Sequence, residues 1–599
     1  MGIFNRISRD YIQISSLMRT LRRIKRFTPN GAETFADVFE EVVARYPSNV
    51  AIFFKEEVIT YQQLDEAANR YAHWALAQGI KQGDCVALLM ENRPEYLMAW
   101  IGLVKAGATV ALINNNLTGH ALAHSLNISL ATHVVLGGEL VESYSSVQDL
   151  LDRPMKAWIT GAHAQGFEDL DTALAAQQTE AVPADTRSAM RTSDVALYIY
   201  TSGTTGNPKA ANLSHLRVLT MMNAFAAAVN AKPRDRMYCV LPLYHSAGGV
   251  CAVGTVLMTG GALIIRRKFS ATHFWEDCRK YEATMFQYIG ELCRYLLNAP
   301  VQPNEARHKL RICVGNGLRP EIWPEFEKRF KIPRIVEFYG ATEGNVALLN
   351  YDGKVGAVGR IPKYLEKQFP VSIVKFDVEN EVPVRGPDRF CIECAPDEVG
   401  EALGRINSDP DDATGRFEGY SDKAASEKKI LRDVFEKGDA YFRTGDLMRK
   451  DKDGYFYFVD RIGDTFRWKG ENVATSEVAE AISVFPGVHE ANVYGVHVPN
   501  TDGRAGMAAI VSDTEIDPGE LREHLAKELP DYARPLFLRM QQEIEITGTF
   551  KHRKVELVKE GFDPTTISDK MYFDHPETNE YVPLTPELYD QICSGAFRL

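Results

Sequence analysis

At residues 195–209 an apolar run, Val-Ala-Leu-Tyr-Ile-Tyr, gives way to Thr-Ser-Gly-Thr-Thr-Gly-Asn-Pro-Lys. The six apolar residues read as a buried strand. The small polar residues after them read as a turn. Its backbone N–H groups and hydroxyls, offered across Tyr200, Thr201, Ser202, Gly203, Thr204, Thr205 and Gly206, can wrap phosphate oxygens, and Lys209 adds a point charge for the same anion. The spacing is not that of a Walker A loop, because two residues rather than four separate Gly203 from Gly206 and Ala210 follows the lysine. A generic polar loop is the plain alternative, and the density of Thr, Ser and Gly before Pro-Lys argues against it.

The surroundings specify an α/β fold. Residues 35–46 and 94–106 have helical periodicity, while 50–54 and 85–89 read as strands. This alternation implies a largely parallel sheet with both faces covered. Residues 175–194 are polar and aperiodic, as in a surface linker. From Gly463 the pattern restarts with helices at 476–484 and 518–529, the second announced by Asp517 before Pro518. A chain of 599 residues exceeds one hydrophobic core. The expectation is a basic amphipathic segment over 1–30, a large domain with layered sheets over 31–462, and a small α/β lid over 463–599.

A net charge of −12 excludes a nucleic-acid binder, which needs a basic excess against phosphates. Nine cysteines without an even framework suit a reducing compartment. Cys391 and Cys394 form one CxxC with no second pair or nearby histidines, so two thiols on a strand are expected rather than a metal site. Residues 237–265 hold no charged side chain, yet Pro242, His245 and five glycines argue for a buried strand, loop and core helix instead of a membrane span. Residues 1–27 carry seven basic residues against one acid, with Ile3, Ile7, Tyr11, Ile14, Met18, Leu21 and Ile24 at three- and four-residue steps. Such a helix either lies on an anionic membrane, each charge contributing about 1 kcal/mol near the lipid, or packs on the protein with a solvated basic face.

The decapeptide Tyr200 to Lys209 resembles the phosphate loop of the acyl-adenylate-forming superfamily. Further blocks come in order over roughly 34–557: Phe338-Tyr-Gly-Ala-Thr-Glu-Gly-Asn345, Gly353-Lys-Val-Gly-Ala-Val-Gly-Arg360, Tyr441-Phe-Arg-Thr-Gly-Asp446, Asp460-Arg-Ile-Gly-Asp-Thr-Phe-Arg-Trp-Lys-Gly-Glu-Asn472 and Thr547-Gly-Thr-Phe-Lys551. These blocks and the closing Tyr581-Val-Pro-Leu resemble the fatty acid transport protein and very-long-chain acyl-CoA synthetase branch in particular.

The resemblance implies an enzyme that uses ATP, Mg²⁺ and coenzyme A to activate a fatty acid as its adenylate and pass the acyl group to a thiol. Tyr339 and Gly340 would face adenine beside the turn Gly315, Asn316 and Gly317. Thr342 would meet the α-phosphate, and Glu343, a hard oxygen ligand, the Mg²⁺. Asp446 and Arg461 would hold the ribose, and His245 would close the acyl pocket. Lys551 would offset the repulsion between carboxylate and phosphate in the transition state; Arg553 and Lys554 beside it raise the alternative of a basic surface run. Gly463 or Asp464 would be the hinge, and Trp468, Gly470 and Asn472 would line a pantetheine tunnel after the lid rotates. Most of the superfamily carries Asp or Lys where this chain has Gly463. The implied setting is the cytoplasm or the cytoplasmic face of a membrane touched through residues 1–27. A sterol side-chain or bile-acid carboxylate, fatty acid uptake with ligation secondary, and loading of a carrier protein are the other readings; no appended carrier domain is seen.

Overall fold

The computed structural model describes residues 3–201, 208–378, 380–407, 409, 415–469, 471–501, 503–543, 554–597 and 599. They form two compact units. The first comprises Met1–Arg360, Gly404–Leu431 and Ala440–Phe442, the second Ile361–Leu403, Arg432–Asp439 and Arg443–Leu599. The strands Ala440–Lys450 and Tyr455–Arg461 pair antiparallel, with Asp446 opposite Arg461 and Lys450 opposite Phe456, and this ladder groups 443–461 with the chain after it.

The first unit contains two sheets. A seven-stranded sheet runs Glu168–Asp169, Lys156–Thr160, His133–Gly137, Cys85–Leu89, Thr109–Leu112, Val195–Thr201, Lys209–Ser214, parallel throughout except for the last pair. Cys85–Leu89 and Thr109–Leu112 are buried at every position, as a parallel sheet covered on both faces requires. An eight-stranded sheet runs Ala347–Asn350, Ile335–Gly340, Ile312–Asn316, Met285–Ile289, Arg236–Cys239, Ala262–Ile265, Val50–Phe54, Glu57–Thr60. Its inner pairs are parallel and both edge pairs antiparallel.

The uncharged stretch at 237–265 is core, as its composition implies: the strand Arg236–Cys239, a π-helix at Ser246–Ala252, the helix Val253–Leu257 and the strand Ala262–Ile265. No described helix is long and apolar enough to cross a membrane.

The second unit has a five-stranded sheet of Val488–Val496, Ala505–Ser512, Phe537–Gln541, Lys570–His575 and Glu580–Pro583. Helix Pro518–Glu528 starts where the sequence indicates, with the Asp517 carboxylate accepting from Gly519 N and Glu520 N. Cys391 sits on an isolated bridge to Arg385 and Cys394 next to another, so neither lies on a regular strand. Cys391 is buried and Cys394 half-buried, and burial pushes both thiols up, Cys394 to about 12.

Candidate active site

The strand Val195–Thr201 ends opposite Lys209, so the expected phosphate-binding segment joins two paired antiparallel strands. Within it Ser202, Gly203, Thr204, Thr205 and Gly206 lie outside the described residues. Tyr200 is 7% exposed and packs in the apolar cluster of Cys85, Leu122 and Tyr144. Its ring is therefore core, and only its backbone is left for an anion. Lys209 Nζ stands 5.6 Å from the centroid of the Tyr420 ring, within cation–π range. Tyr420 comes from a distant segment that bridges the hairpin at Ala211, with Asn212 N donating to Gly419 O at 3.0 Å.

The Tyr420 hydroxyl donates to Glu343 Oε1 at 2.7 Å. Burial first, and the Glu343 carboxylate second, push this phenol far above its usual range; a hydrogen bond with the Thr201 side chain opposes them. Beside Glu343, the Thr342 hydroxyl lies 3.0 Å from Ser246 Oγ. The turn carrying both residues is clamped from behind by Arg217, whose Nη2 donates to Ala341 O at 3.0 Å and to Gly344 O. Arg217 sits in the first turn of the helix His215–Ala228, and burial lowers its pKa.

Ser246 opens the π-helix, a form concentrated at functional sites. His245 caps it: its Nδ1 accepts from Ala247 N at 3.4 Å, and Gly249 N donates to His245 O at 2.7 Å. The two glycines in its first turn are obligatory. A Cβ on Gly248 would stand 2.4 Å from Pro242 O, and one on Gly249 2.0 Å from Leu243 O.

Asn316 ends the strand Ile312–Asn316, and Gly317 then turns with φ +80, a left-handed conformation that favours glycine. Glu337, opposite Gly315 in the neighbouring strand, holds this turn. Its Oε1 accepts from Gly317 N and from Leu318 N at 3.2 Å, and its Oε2 from the Tyr288 hydroxyl. Burial pushes this carboxyl up to about 8, against the pull of those three donors. Two residues on, Tyr339 is half-buried and Gly340 exposed.

In the second unit Asp446 and Arg461 are direct cross-strand partners. Asp460, a buried neighbour of Arg461, accepts from Arg461 N at 2.9 Å and Thr475 N at 2.6 Å. Lys554 is tied inward, to Thr475 Oγ1 at 2.6 Å and to Asp464 at 3.2 Å. Gly463 is exposed, and a Cβ there would meet nothing within 4 Å. Trp468 is 4% exposed in this unit's own core, which leaves its ring no surface to line a tunnel, whereas Asn472 is exposed. Gly470 and Lys551 lie outside the described residues.

The AMP-binding enzyme family matches residues 39–388, and the AMP-binding enzyme C-terminal domain matches residues 477–551. The chain belongs to the AMP-binding enzyme family. Among AMP-binding enzymes it is 42% identical over 600 residues to rat long-chain fatty acid transport protein 2, covering 99% of this chain and 95% of that one. It is 41% identical to mouse long-chain fatty acid transport protein 1, covering 99% and 92%. In fold it resembles an anthranilate CoA ligase bound to anthranoyl-AMP (TM-score 0.74, 19% identity, covering 88% and 96%). It likewise resembles a fatty acyl CoA synthetase of Mycobacterium tuberculosis (TM-score 0.60, 24% identity, covering 88% and 98%).

Four residues that shape the AMP-binding enzyme's site were not found from sequence: Arg217, Ser246, Glu337 and Tyr420. A signal existed for Glu337, a lone acid inside the apolar run Ile335-Val-Glu-Phe. Arg217 and Tyr420 carried none, since their partners lie 124 and 77 residues away.

Proposed function

We propose that this enzyme is a long- or very-long-chain fatty acid:CoA ligase that converts ATP, fatty acid and CoA into acyl-CoA, AMP and pyrophosphate. The observation that carries the reading is identity above 40% over nearly the whole chain with proteins named for long-chain fatty acids. In the first step a carboxylate oxygen bonds to the α-phosphorus and the bond to the β-phosphate oxygen breaks, releasing pyrophosphate. In the second the thiolate sulfur bonds to the carbonyl carbon and AMP leaves.

Thr342, with its hydroxyl fixed by Ser246, is suited to orient the α-phosphate, and Lys209 and the hairpin turn to bind the phosphates behind it. The turn at Gly315, Asn316 and Gly317, with Tyr339, would take the base; Asp446 and Arg461 the ribose; Lys551 the two reacting anions. Glu343 suits Mg²⁺. Among the described residues no group of three or more His, Cys, Asp or Glu could hold an ion, and Mg²⁺ typically takes one or two carboxylates with substrate phosphates. When bound, the ion would supply positive charge to those phosphates. The lid would begin at 463. Gly463 is favoured over Asp464 as its pivot, because its backbone carries no steric load while Asp464 is tied to Lys554. His245 and the π-helix are the candidate wall of the acyl pocket, which would favour long chains by about 0.8 kcal/mol per buried methylene until full.

The free thiols fit a cytoplasmic setting, and residues 1–27 are the candidate contact with a membrane's cytoplasmic face. Pyrophosphate release measured across acids of graded length tests the ligase reading, which requires a rise with chain length dependent on ATP. A maximum on sterol side-chain or bile acids moves the substrate class, and no release with any carboxylic acid refutes the proposal. A Lys551→Ala variant that forms acyl-adenylate at the normal rate refutes that residue's role.

A further inference from the structure

The N-terminal helix, Ile3–Ile24, is amphipathic but seated the opposite way from most surface helices. It packs on the helix His215–Ala228, and the buried side chains along it are polar: Ser16 is fully buried, Gln13 5% and Arg9 6% exposed. Gln13 Nε2 donates to Arg360 O at 3.3 Å, and Arg360 pairs with Asp10 at 2.7 Å. Arg19 reaches Ala227 O at 3.1 Å and Ser16 Oγ at 2.8 Å. The outward face carries Tyr11, Ile14, Met18 and Leu21, exposed by 72, 47, 49 and 46%. Their spacing of three, four and three residues puts all four on one line along the helix. Arg22 and Lys25 flank that line, exposed and without an ion-pair partner among the described residues.

A helix placed only to stabilise its own protein would turn this stripe inward, since burying apolar surface is the main gain of packing. A contiguous apolar patch left in water marks a contact surface. Charge selects the occupant. Arg22 and Lys25 complement a negative surface, whereas a second copy joined face to face would set the same cations against each other. Because the inward face is hydrogen-bonded to the body, the helix can engage a surface without detaching.

We propose that the Tyr11, Ile14, Met18 and Leu21 face docks flat on an anionic lipid bilayer, the four side chains entering the boundary between headgroups and acyl chains while Arg22 and Lys25 meet the phosphates. This rests on the membrane reading above and names the face that serves it.

The experiment is co-sedimentation of the full chain with phosphatidylcholine vesicles, with and without about 30% phosphatidylserine, at low and high salt. The wild type binds the anionic vesicles at least about tenfold more tightly than the neutral ones, and salt weakens the binding. Tyr11→Ser/Ile14→Ser/Met18→Ser/Leu21→Ser lowers binding by about tenfold or more with an unchanged melting temperature, because these side chains already face water. Arg22→Glu/Lys25→Glu removes the preference for anionic lipid. Wild-type protein that stays in the supernatant, a quadruple variant that binds as well as the wild type, or a dimer abolished by the same four changes would overturn the proposal. Pyrophosphate release with a water-soluble short-chain acid is read in parallel. It is unchanged in both variants, and the ligase reading is judged separately by release across acids of graded length.

Discussion

The turn carrying Thr342 and Glu343, in the first unit, and the pair Asp446 and Arg461, in the second, are built by different means. The turn is fixed by side chains from three remote places: Ser246 on Thr342, Tyr420 on Glu343, and Arg217 on the carbonyls of Ala341 and Gly344. The pair is fixed by backbone register, Asp446 standing opposite Arg461 in an antiparallel ladder that continues to Lys450 and Phe456. Geometry held by side chains fails when one is removed, while geometry held by a ladder survives the loss of the side chain it displays. That asymmetry can be tested.

Arg217→Ala should have the largest effect. It leaves two carbonyls without their charged donor, about 1.5–3 kcal/mol for each bond lost. The melting temperature and the adenylation rate should fall together, the rate by about 100-fold or more. If both stay at wild-type values, the turn is not held by side chains and the contrast collapses. Tyr420→Phe removes one hydrogen bond to a carboxylate, roughly 1.5–3 kcal/mol. The melting temperature should fall by less than in Arg217→Ala, and kcat/KM for ATP by about tenfold or more. Asp446→Asn should sharpen the other side: if Asp446 holds the ribose as proposed, KM for ATP rises about tenfold as those charge-assisted bonds weaken, while kcat and melting temperature hold, because the ladder is untouched. A fall in melting temperature matching that of Arg217→Ala would show that the ladder needs the side chain after all.

Glu337→Gln is the smallest expected change. The Glu337 carboxyl is raised from 4.5 to about 8 in the folded protein. The folded state therefore binds this proton more tightly than the unfolded state, and the stability so gained is complete below 4.5 and lost as pH rises through 8. Glutamine mimics the protonated form, accepting from Gly317 N and Leu318 N and donating to Tyr288. Its melting temperature should match wild type near pH 5 and decline less toward pH 8. An equal decline in both proteins would assign that pH dependence to other groups.

What was legible in the sequence was local. Asp517 and Pro518 start a helix because capping involves neighbours only, and the uncharged run at 237–265 could be read as core because its glycines and Pro242 break a span. The two faces of the N-terminal helix were equally visible, but an amphipathic period does not say which face turns inward, and here Ser16 and Gln13 do. Tyr200 and Trp468 lie in motif positions, yet their rings fill cores, a distinction made only by residues far away in the chain. Arg217 and Tyr420 escaped notice for the same reason.

If the outward stripe of the N-terminal helix docks on lipid as proposed, it also changes how the fatty acid should be counted. An enzyme resting on lipid meets its acid as a fraction of the surface rather than as moles per litre. Adding inert vesicles at constant total acid thins that surface supply, so turnover should fall even though nothing has been removed from the tube.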